Sequence, residues 1–425
     1  MTYSATKRDG GSIAALGAVF ADLAHFIAFR VAHLREFIAA LPLHHVGTEN
    51  GVLFVGYIEA GLGLGESLRG LIRSVATTGL PFAVYPFNIG VETRFIGQFA
   101  ADLYDMRRRY RVNVVEMSAD QVPAMFRELG VWKTAHSYNI LRTYWELPHA
   151  PAEWAFMLKG IQEIWAPNQF VENAFRRIFT GPIRIVPPCV EVETDTAFDR
   201  DYFGMDHHKF YFVFSFDYFS HPARKNPLAV VRAFQQAFPE LSENVALVIK
   251  STGAPHHGPK TKSAILAAAA SDPRIMVIDR MCSRDEVLSL IRSADCYVSL
   301  HRSEGFGLGM AEAMASGKPV IGTNYSGNTD FLSDLTGFPV SFSLRPVQAG
   351  EYIFSDGQSW AEPDEAAAAE AMRQVFFNPR ERQQRAASGK ALVEARYSRE
   401  NVGQIATRYL EDILATRNLH RKPKR

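Results

Sequence analysis

Residues 299–330 read SLHRSEGFGLGMAEAMASGKPVIGTNYSGNTD, and this stretch indicates the fold of the chain. An apolar run over residues 296–300 is followed by glycines at positions 305, 307 and 309, and then by the helix-forming segment MAEAMA. That order is typical of a strand, a glycine-rich loop and a helix. Alternate glycines let the backbone approach a ligand closely, and a helix start offers unpaired N–H groups and a partial positive charge. The stretch therefore predicts a site for a phosphate group.

Two carboxylates flank this loop. Glu304 comes just before the helix and Glu312 lies about one turn inside it, so both can face one bound molecule from different depths. A carboxylate accepts hydrogen bonds from sugar hydroxyls, either on ribose or on a transferred sugar. A solvated helix carboxylate beside an ordinary tight turn would also fit these residues, because short glycine motifs match by chance. The pair is 8 positions apart on one strand, loop and helix, which argues against the facing carboxylates of a glycoside hydrolase.

The combination of Glu304, seven intervening residues, Glu312 and then SGKPVIG resembles the signature of the retaining GT-B glycosyltransferases, in particular family 4. The resemblance extends in element order over residues 50–415 and is closest over residues 210–330. It implies an α/β protein of the GT-B type, with two Rossmann-like domains facing each other across a cleft. It also implies a nucleotide-diphosphate sugar as the donor substrate, no prosthetic group and no metal ion.

Further apolar runs alternate with helical or polar segments along the chain. Alternation of this kind predicts parallel sheets covered on both faces, with ligands collecting at the carboxyl ends of the strands. The runs cover residues 52–58, 81–86, 112–117, 140–145, 163–166 and 183–187 in the first half, and residues 210–216, 245–250 and 275–278 in the second.

A chain of 425 residues is too long for one ordinary core, so two domains are expected. We predict an N-terminal acceptor-side domain over residues 1–190 and a nucleotide-sugar-binding domain over residues 191–397. The resemblance implies that a last helix, within residues 398–425, crosses back to the first domain before a basic tail.

Charge and cysteine content restrict the partners and the compartment. With 46 basic and 45 acidic side chains the net charge is +1, which indicates no general affinity for nucleic acid. Three widely spaced cysteines, at positions 189, 282 and 296, predict neither a disulfide framework nor a zinc site, and favour a reducing cytoplasm.

Residues 13–41 carry apolar side chains three or four apart, from Phe20 to Leu41, which predicts an amphipathic helix. Charged residues interrupt the segment, so it resembles neither a signal peptide nor a spanning helix. Core packing would account for its apolar face, and so would peripheral contact with the inner membrane or a lipid-linked acceptor. The basic tail after residue 417 would also suit an anionic membrane surface.

A second strand and glycine loop occurs in the first half of the chain, at Gly61, Gly63 and Gly65. Its GxGxG spacing supports a dinucleotide fingerprint only weakly. The resemblance implies that this loop lies across the cleft from the donor phosphates and near the acceptor.

Residues 144–151 depart from the family pattern. Trp145 occupies the position of a histidine near the reacting sugar carbon, and Glu146 that of the acidic residue after it. His136 or His149 could replace the missing histidine, although an ordinary core or surface histidine fits each of them as well. Trp145 could instead stack on a sugar face.

Arg224 and Lys225 follow the strand over residues 210–216 and resemble the family segment that neutralises the departing diphosphate. Asp217 stands near the place of a second arginine, which is missing here, so Arg224 is a candidate for its work. A DxD pair, Asp199 and Asp201, lies in a polar stretch that ends no apolar strand, so we interpret it as solvated charge and not as a metal site.

The resemblance assigns the donor contacts residue by residue. Arg280 and Met281 would lie against the nucleobase, without a preference for guanine, uracil or adenine. Glu312 would hold the ribose hydroxyls and Glu304 a hydroxyl of the transferred sugar. The remaining predicted contacts come from Gly305, Phe306, Gly307, Leu308, Gly309 and Asn328.

The resemblance therefore implies retaining transfer of a hexose from GDP-mannose or a UDP-sugar to a glycan or lipid-linked glycan in cell-surface polysaccharide synthesis. Two alternatives remain open. One is a GT-B sugar-nucleotide epimerase or phosphorylase, and the other is a catalytically weakened protein that binds sugar nucleotides as a scaffold.

Overall fold

The computed structural model describes residues 48–90, 96–193, 196–253 and 258–419. The predicted amphipathic helix over residues 13–41 and the end of the basic tail lie outside these residues. Among the described helices, none combines the length and the apolar character that crossing a membrane requires.

The first sheet has six parallel strands in the order β2-β1-β3-β4-β5-β6. Near-continuous burial of these strands reflects helices packed on both faces, as predicted. The strands are β1 (Thr48–Gly56), β2 (Phe82–Pro86), β3 (Arg109–Glu116), β4 (Tyr138–Arg142), β5 (Glu163–Ala166) and β6 (Ile183–Ile185). The helices between them are α1 (Gly63–Ala76), α2 (Val122–Leu129), α3 (Val131–Thr134), α4 (Trp154–Met157) and α5 (Gln169–Phe175).

The second sheet also has six parallel strands, in the order β12-β11-β10-β7-β8-β9. They are β7 (Phe210–Asp217), β8 (Val245–Thr252), β9 (Ile275–Asp279), β10 (Cys296–Ser299), β11 (Val320–Thr323) and β12 (Phe338–Val340). The helices are α6 (Arg200–Phe203), α7 (Pro222–Lys225), α8 (Pro227–Ala237), α9 (Pro259–Ser271), α10 (Arg284–Ser293) and α11 (Leu308–Ala315).

A two-stranded antiparallel hairpin follows the second sheet. It is formed by β13 (Phe342–Pro346) and β14 (Ser359–Pro363). Three helices complete the chain: α12 (Glu365–Phe377), α13 (Pro379–Tyr397) and α14 (Arg399–Leu419).

The last helix, α14, packs against the first sheet and not against the second. Val402, Ala406 and Leu410 are fully buried in one apolar cluster with Leu68 and Leu71 of α1. A hydrogen bond of 2.8 Å between the hydroxyls of Thr78 and Thr407 adds a polar contact. The last described helix thus lies on the same half of the molecule as the first described strand, β1.

Strand order locates the place where a ligand would bind. In the second sheet the order reverses between β7 and β10, and open parallel sheets bind ligands beside such a reversal, at the carboxyl ends of the strands. The predicted strand over residues 140–145 ends at Arg142, so residues 144–146 form a loop at the corresponding edge of the first sheet.

Candidate active site

Three segments of the chain meet at the reversal in the second sheet. Arg224 and Lys225 form the end of α7, which follows β7, and Glu304 lies in the loop after β10. One carboxylate oxygen of Glu304 lies 2.5 Å from the Lys225 ammonium, and the other lies 3.0 Å from the Arg224 guanidinium. Glu146, from the loop after β4, places a carboxylate oxygen 3.9 Å from the same guanidinium. The structure therefore brings these four predicted residues together.

The ion pairs determine the protonation of Glu304, which is only 7% exposed. Burial alone would raise its pKa, but the charges of Lys225 and Arg224 outweigh burial and lower the pKa to about 2. Glu304 is therefore an anion throughout the physiological range. Burial lowers the pKa of the Lys225 ammonium, an effect that Glu304 opposes.

The glycine loop after Glu304 is shaped by contacts within the protein. Gly307 precedes α11 with φ at +93°, a backbone conformation that favours glycine. A Cβ atom on Gly327 would lie 2.3 Å from the carbonyl oxygen of Gly305, so the two small-residue turns pack backbone to backbone. The Gly327 N–H donates to the Glu304 carbonyl at 2.9 Å. The glycines of these two turns therefore allow close backbone packing within the protein, in addition to any role in binding a ligand.

The side chains around this loop have different environments. Phe306 is buried with Phe331 and Tyr397, at ring distances of 5.2 and 5.3 Å, so its side chain belongs to the core. Leu308 is half-buried at the start of α11, and a Cβ atom on Gly309 would lie 2.6 Å from the Tyr297 hydroxyl. A backbone role of these residues toward a phosphate stays a prediction.

Asn328 is held by a histidine that the sequence analysis did not single out. The Asn328 amide nitrogen donates to the Thr323 carbonyl at 2.8 Å, which leaves its oxygen as an acceptor for Nε2 of His301 at 2.9 Å. Nδ1 of His301 then accepts from the Ser299 hydroxyl at 3.0 Å. Burial lowers the pKa of this histidine, which favours the neutral ring that the two bonds require. In the sequence, the only signal for this role was a histidine directly after the apolar run over residues 296–300.

Glu312 meets an arginine that connects the two halves of the molecule. Its carboxylate is 3% exposed and lies 2.6 Å from the guanidinium of Arg284, the first residue of α10. Another nitrogen of Arg284 lies 3.8 Å from Glu66 on α1. Burial raises the pKa of Glu312, against the effect of Arg284. Ribose hydroxyls that bind Glu312 would therefore share its carboxylate with Arg284 or displace the arginine.

The first glycine loop lies at the start of α1, one turn before Glu66. Gly61 and Gly63 are exposed, and nothing lies within 4 Å of a Cβ atom built on Gly63. Gly65 is different, because its Cβ atom would lie 2.5 Å from the carbonyl oxygen of Ala60. The first two glycines thus border open space, whereas Gly65 closes the turn.

Trp145 is not arranged as a platform for a sugar. The indole is 2% exposed and packs edge-on against Trp154 at 4.8 Å, with Tyr352 and Phe354 on other sides. Its N–H donates to the carbonyl of His149 at 2.8 Å. The prediction that Trp145 stacks on a sugar face is therefore wrong, because aromatic side chains of the core enclose its ring. Next to it, Glu146 accepts a hydrogen bond of 2.7 Å from the Tyr352 hydroxyl.

The two histidines considered as replacements lie in different places. His136 precedes β4, so it lies at the amino edge of the sheet, opposite the carboxyl ends where the site forms. It cannot take the role of the missing histidine. His149 lies on the correct edge and is exposed, and its backbone is hydrogen-bonded to the side chain of Gln358, which immediately precedes β14. Its catalytic role stays a prediction.

The predicted base-binding turn follows β9. Arg280 pairs with Glu286 at 2.6 Å, and Ser283 and Glu286 form a capping box at the start of α10. Met281 is 62% exposed, so its side chain is accessible to a flat ring that binds at this turn. These contacts are compatible with a nucleobase site but do not select a base.

The DxD pair has local partners, as its interpretation as ordinary charge requires. Asp199 caps α6 by accepting from the Tyr202 N–H, and Asp201 lies 2.8 Å from a ring nitrogen of His207. In the part of the chain that the structure describes, no three His, Cys, Asp or Glu side chains are grouped to hold a metal ion.

Asn168 is a further residue that the sequence analysis missed. Its side-chain oxygen caps α5 by accepting from the Val171 N–H at 3.0 Å, which an asparagine before a helix would have indicated. Its amide nitrogen donates to the Gly305 carbonyl at 2.7 Å, 137 positions away. That contact links the first half of the molecule to the glycine loop of the second half and could not be seen in the sequence.

The two sheets and the site between them define the GT-B class of glycosyltransferases. The sucrose-phosphate synthase of Thermosynechococcus elongatus has a TM-score of 0.65 at 13% identity, covering 87% of this chain and 100% of that chain. HepE of Anabaena, in complex with UDP and glucose, has a TM-score of 0.60 at 12% identity, with coverages of 85% and 99%. A glycosyltransferase of Rickettsia africae has a TM-score of 0.60 at 14% identity, with coverages of 86% and 98%. At these identities the likeness establishes the fold, and the predicted class is confirmed.

The model of the family described as "Family 4 Glycosyltransferase in conflict systems" matches residues 173–404. This match spans more than half of the 425 residues, and the chain belongs to that family. The predicted membership of glycosyltransferase family 4 is confirmed. A search of curated protein sequences gives no match.

Proposed function

We propose that this glycosyltransferase moves a hexose from a nucleotide-diphosphate sugar, GDP-mannose or a UDP-sugar, to a glycan or lipid-linked glycan, with retention of the anomeric configuration. The observation that carries the proposal is the cluster of Arg224, Lys225 and Glu304 at the strand-order reversal, facing Glu146 from the other half. A donor of this class is also supported by HepE, which has the same fold and was solved with UDP and glucose.

The cations of the cluster suit a departing diphosphate. As the bond between the sugar and the phosphate breaks, negative charge builds on the phosphate oxygens and the sugar carbon becomes cationic. Fixed cations at the phosphate lower that barrier electrostatically. Glu304 holds Arg224 and Lys225 in place, so they are oriented before the donor arrives.

Glu304 itself suits binding better than proton transfer. A general base works best with a pKa near the operating pH, whereas the pKa of Glu304 is about 2. Its carboxylate can still accept a hydrogen bond from a hydroxyl of the transferred sugar. His301 is also unsuited, because both of its ring nitrogens are already bonded.

These properties support a front-face mechanism for retention, which the family resemblance implies. The acceptor hydroxyl oxygen bonds to the anomeric carbon on the face from which the diphosphate leaves. The bond between that carbon and the phosphate oxygen breaks, and this oxygen takes the proton of the acceptor hydroxyl. The products are a glycoside and a nucleoside diphosphate. We also propose that the step needs no metal ion, since Arg224 and Lys225 supply the opposing charge.

The acceptor side would be formed by the open part of the first glycine loop, at Gly61 and Gly63, and by Glu146. A glycan or lipid-linked glycan acceptor, and a role in cell-surface polysaccharide synthesis, are proposed from the resemblance alone. Peripheral contact with a membrane is part of the same proposal, for which the predicted helix over residues 13–41 and the end of the basic tail lie outside the described residues.

The test is an incubation with a panel of UDP- and GDP-sugars and glycan acceptors, read out as release of nucleoside diphosphate. We expect release with at least one donor, and an α-linked product from an α-linked donor by NMR. Glu304→Gln and Lys225→Ala should each lower kcat by about 10²–10³-fold, a typical loss when one electrostatic stabiliser is removed. Glu394→Gln and Lys390→Ala change the same residue types in an exposed ion pair on α13, and should keep the wild-type rate.

Other outcomes would contradict the proposal in recognisable ways. Interconversion of sugar nucleotides without release would indicate an epimerase, and release that requires inorganic phosphate would indicate a phosphorylase. Tight nucleotide binding with no turnover on any acceptor would indicate a binding scaffold. A product of inverted anomeric configuration would contradict the retaining mechanism but would still support glycosyl transfer.

A further inference from the structure

A buried lysine that neither the motifs nor the catalytic cluster uses lies at the carboxyl end of β8. Lys250 is 6% exposed, although lysine is almost never buried without a partner. Its ammonium forms no ion pair and no hydrogen bond with a described residue, and its nitrogen is not among the fully enclosed unpaired atoms, so it keeps contact with solvent. The ammonium donors are therefore open to a ligand with acceptor atoms that enters the site.

The sheet register shows which face Lys250 occupies. Alternate residues of β8 point to opposite faces, and Ala246 and Val248 lie in the apolar cluster that also contains Phe306 and Met310. Lys250 continues that alternation, so it lies on the face of the sheet that carries the glycine loop and the start of α11. This is the face on which the donor is proposed to bind.

The charged groups around Lys250 identify its end of the site. Burial lowers the pKa of its ammonium, and the titratable groups that interact with it include Cys282, Asp217, Arg280, Glu286 and Asp279. Two of these belong to the turn after β9, where the nucleobase is predicted to lie. Glu304 has a different environment, made by Lys225, Arg224 and His301. In the sheet Lys250 pairs with Ile278 of β9, two residues before Arg280, so it lies beside the turn where the base is predicted to bind.

We propose that Lys250 donates a hydrogen bond to a carbonyl oxygen on the edge of the donor nucleobase, and so selects a keto base over an amino base. This inference rests on the proposed function and deepens it. An ammonium has three donors and no acceptor. Uracil and guanine present an oxygen acceptor at positions 4 and 6, whereas cytosine and adenine present an amino donor there. An ammonium at this edge would therefore pair with uracil or guanine and repel the other two.

The first test uses the wild-type chain, so it does not depend on the folding of any variant. Dissociation constants for UDP, GDP, CDP and ADP are measured by titration calorimetry. We expect UDP or GDP to bind roughly 10- to 100-fold more tightly than CDP and ADP, the range for a hydrogen bond to a charged group. Equal binding of all four, or a preference for CDP or ADP, would overturn the inference.

Two variants then assign the preference to Lys250. Lys250→Met removes every donor and should weaken the keto nucleotide roughly 10- to 100-fold while changing CDP and ADP by less than about 3-fold. Lys250→Gln has both a donor and an acceptor, so it should narrow the difference between keto and amino bases. Lys262→Met is the control, because Lys262 is nearby, half-exposed and paired with Asp279 at 2.5 Å.

The remaining outcomes separate this inference from the proposed function. If Lys250→Met weakens all four nucleotides equally, the lysine contacts a phosphate and the inference is wrong. Sugar transfer together with equal binding of the four nucleotides would contradict the inference about Lys250 and support the proposed function. Keto-selective binding that depends on Lys250, without transfer to any acceptor, would support the inference and remove the function. Binding of none of the four would overturn both.

Discussion

At the scale of single residues, the site depends on charges that are paired before any ligand binds. Glu304 is held by two cations and Glu312 by one, so both carboxylates have a fixed orientation. Lys250 differs from them, because no described residue pairs with its ammonium. The paired carboxylates have fixed orientations, whereas the ammonium of Lys250 still has hydrogen-bond donors available for a ligand.

The pairing of Glu304 should be visible in the pH dependence of stability. Its folded-state pKa, about 2, lies below the ordinary value of 4.5, so this group stabilises the fold above pH 4.5. That contribution is lost as the pH falls through 4.5 toward 2, because protonation then favours the unfolded chain. The pKa difference corresponds to a contribution on the order of 3 kcal/mol.

Urea unfolding of the wild type and of Glu304→Gln, measured from pH 6 to pH 2.5, checks this prediction. The stability of the wild type should fall more steeply between pH 4.5 and pH 2.5 than that of the variant. Parallel curves would mean that the ion pairs of Glu304 do not form in solution.

At the scale of secondary-structure elements, the last helix is the contact that ties the end of the chain to its first half. Gly403 lies where α14 crosses α1, and a Cβ atom there would lie 2.3 Å from the Ser74 carbonyl oxygen. A backbone atom cannot move aside as a flexible side chain can, so glycine is required for this close approach. The helix position therefore depends on one residue without a side chain.

Gly403→Ala should accordingly lower the free energy of unfolding by about 1–3 kcal/mol, the usual cost of overpacking. Thermal and urea unfolding would measure the loss. Gly63→Ala is a matched control, since nothing lies within 4 Å of a Cβ atom at Gly63, and it should not destabilise the fold. An unchanged stability of Gly403→Ala would show that α14 does not pack on α1 as described.

At the scale of the whole molecule, a few polar contacts join the two halves around the site. Asn168 donates to Gly305, Tyr352 donates to Glu146, and Arg284 lies between Glu66 and Glu312. The first two contacts place a residue of one half against a predicted site residue of the other, and Arg284 connects the predicted residue Glu312 to Glu66 of the first half. The relative position of the halves and the geometry of the site are therefore coupled.

Asn168 allows this coupling to be tested apart from its local role. Asn168→Ser keeps an oxygen that can cap α5 but removes the donor to Gly305, whereas Asn168→Ala removes both. We expect the serine variant to be less stable than the wild type by about 1–2 kcal/mol and the alanine variant by about 1 kcal/mol more.

Nucleotide release would then be measured for both variants. Their rates should fall by the same factor, since both lack the contact between the halves. A wild-type rate in Asn168→Ser would show that this contact does not position the glycine loop.

Much of the fold followed from local patterns. The apolar runs predicted the six strands of the first sheet and β7 to β10 of the second to within a few residues, because buried parallel strands have nearly continuous apolar sequences. Residues 163–166 were predicted without error, whereas β11 and β12 were not predicted. The family resemblance also implied that Arg224, Lys225 and Glu304 belong to one site, and the structure brings their charged groups together. The family match confirmed the class of glycosyltransferase.

The sequence by itself therefore determined the two-sheet class, through short-range periodicity, and the family, through a motif that resembles the family signature. It also predicted the cationic site. Only the tertiary structure decided what surrounds each residue. It enclosed Trp145 among aromatic rings, placed His136 at the wrong edge of its sheet, and paired Glu312 with Arg284. It also left Lys250 buried without a described partner. Burial and pairing arise between residues that are tens to hundreds of positions apart, so no local pattern carries them.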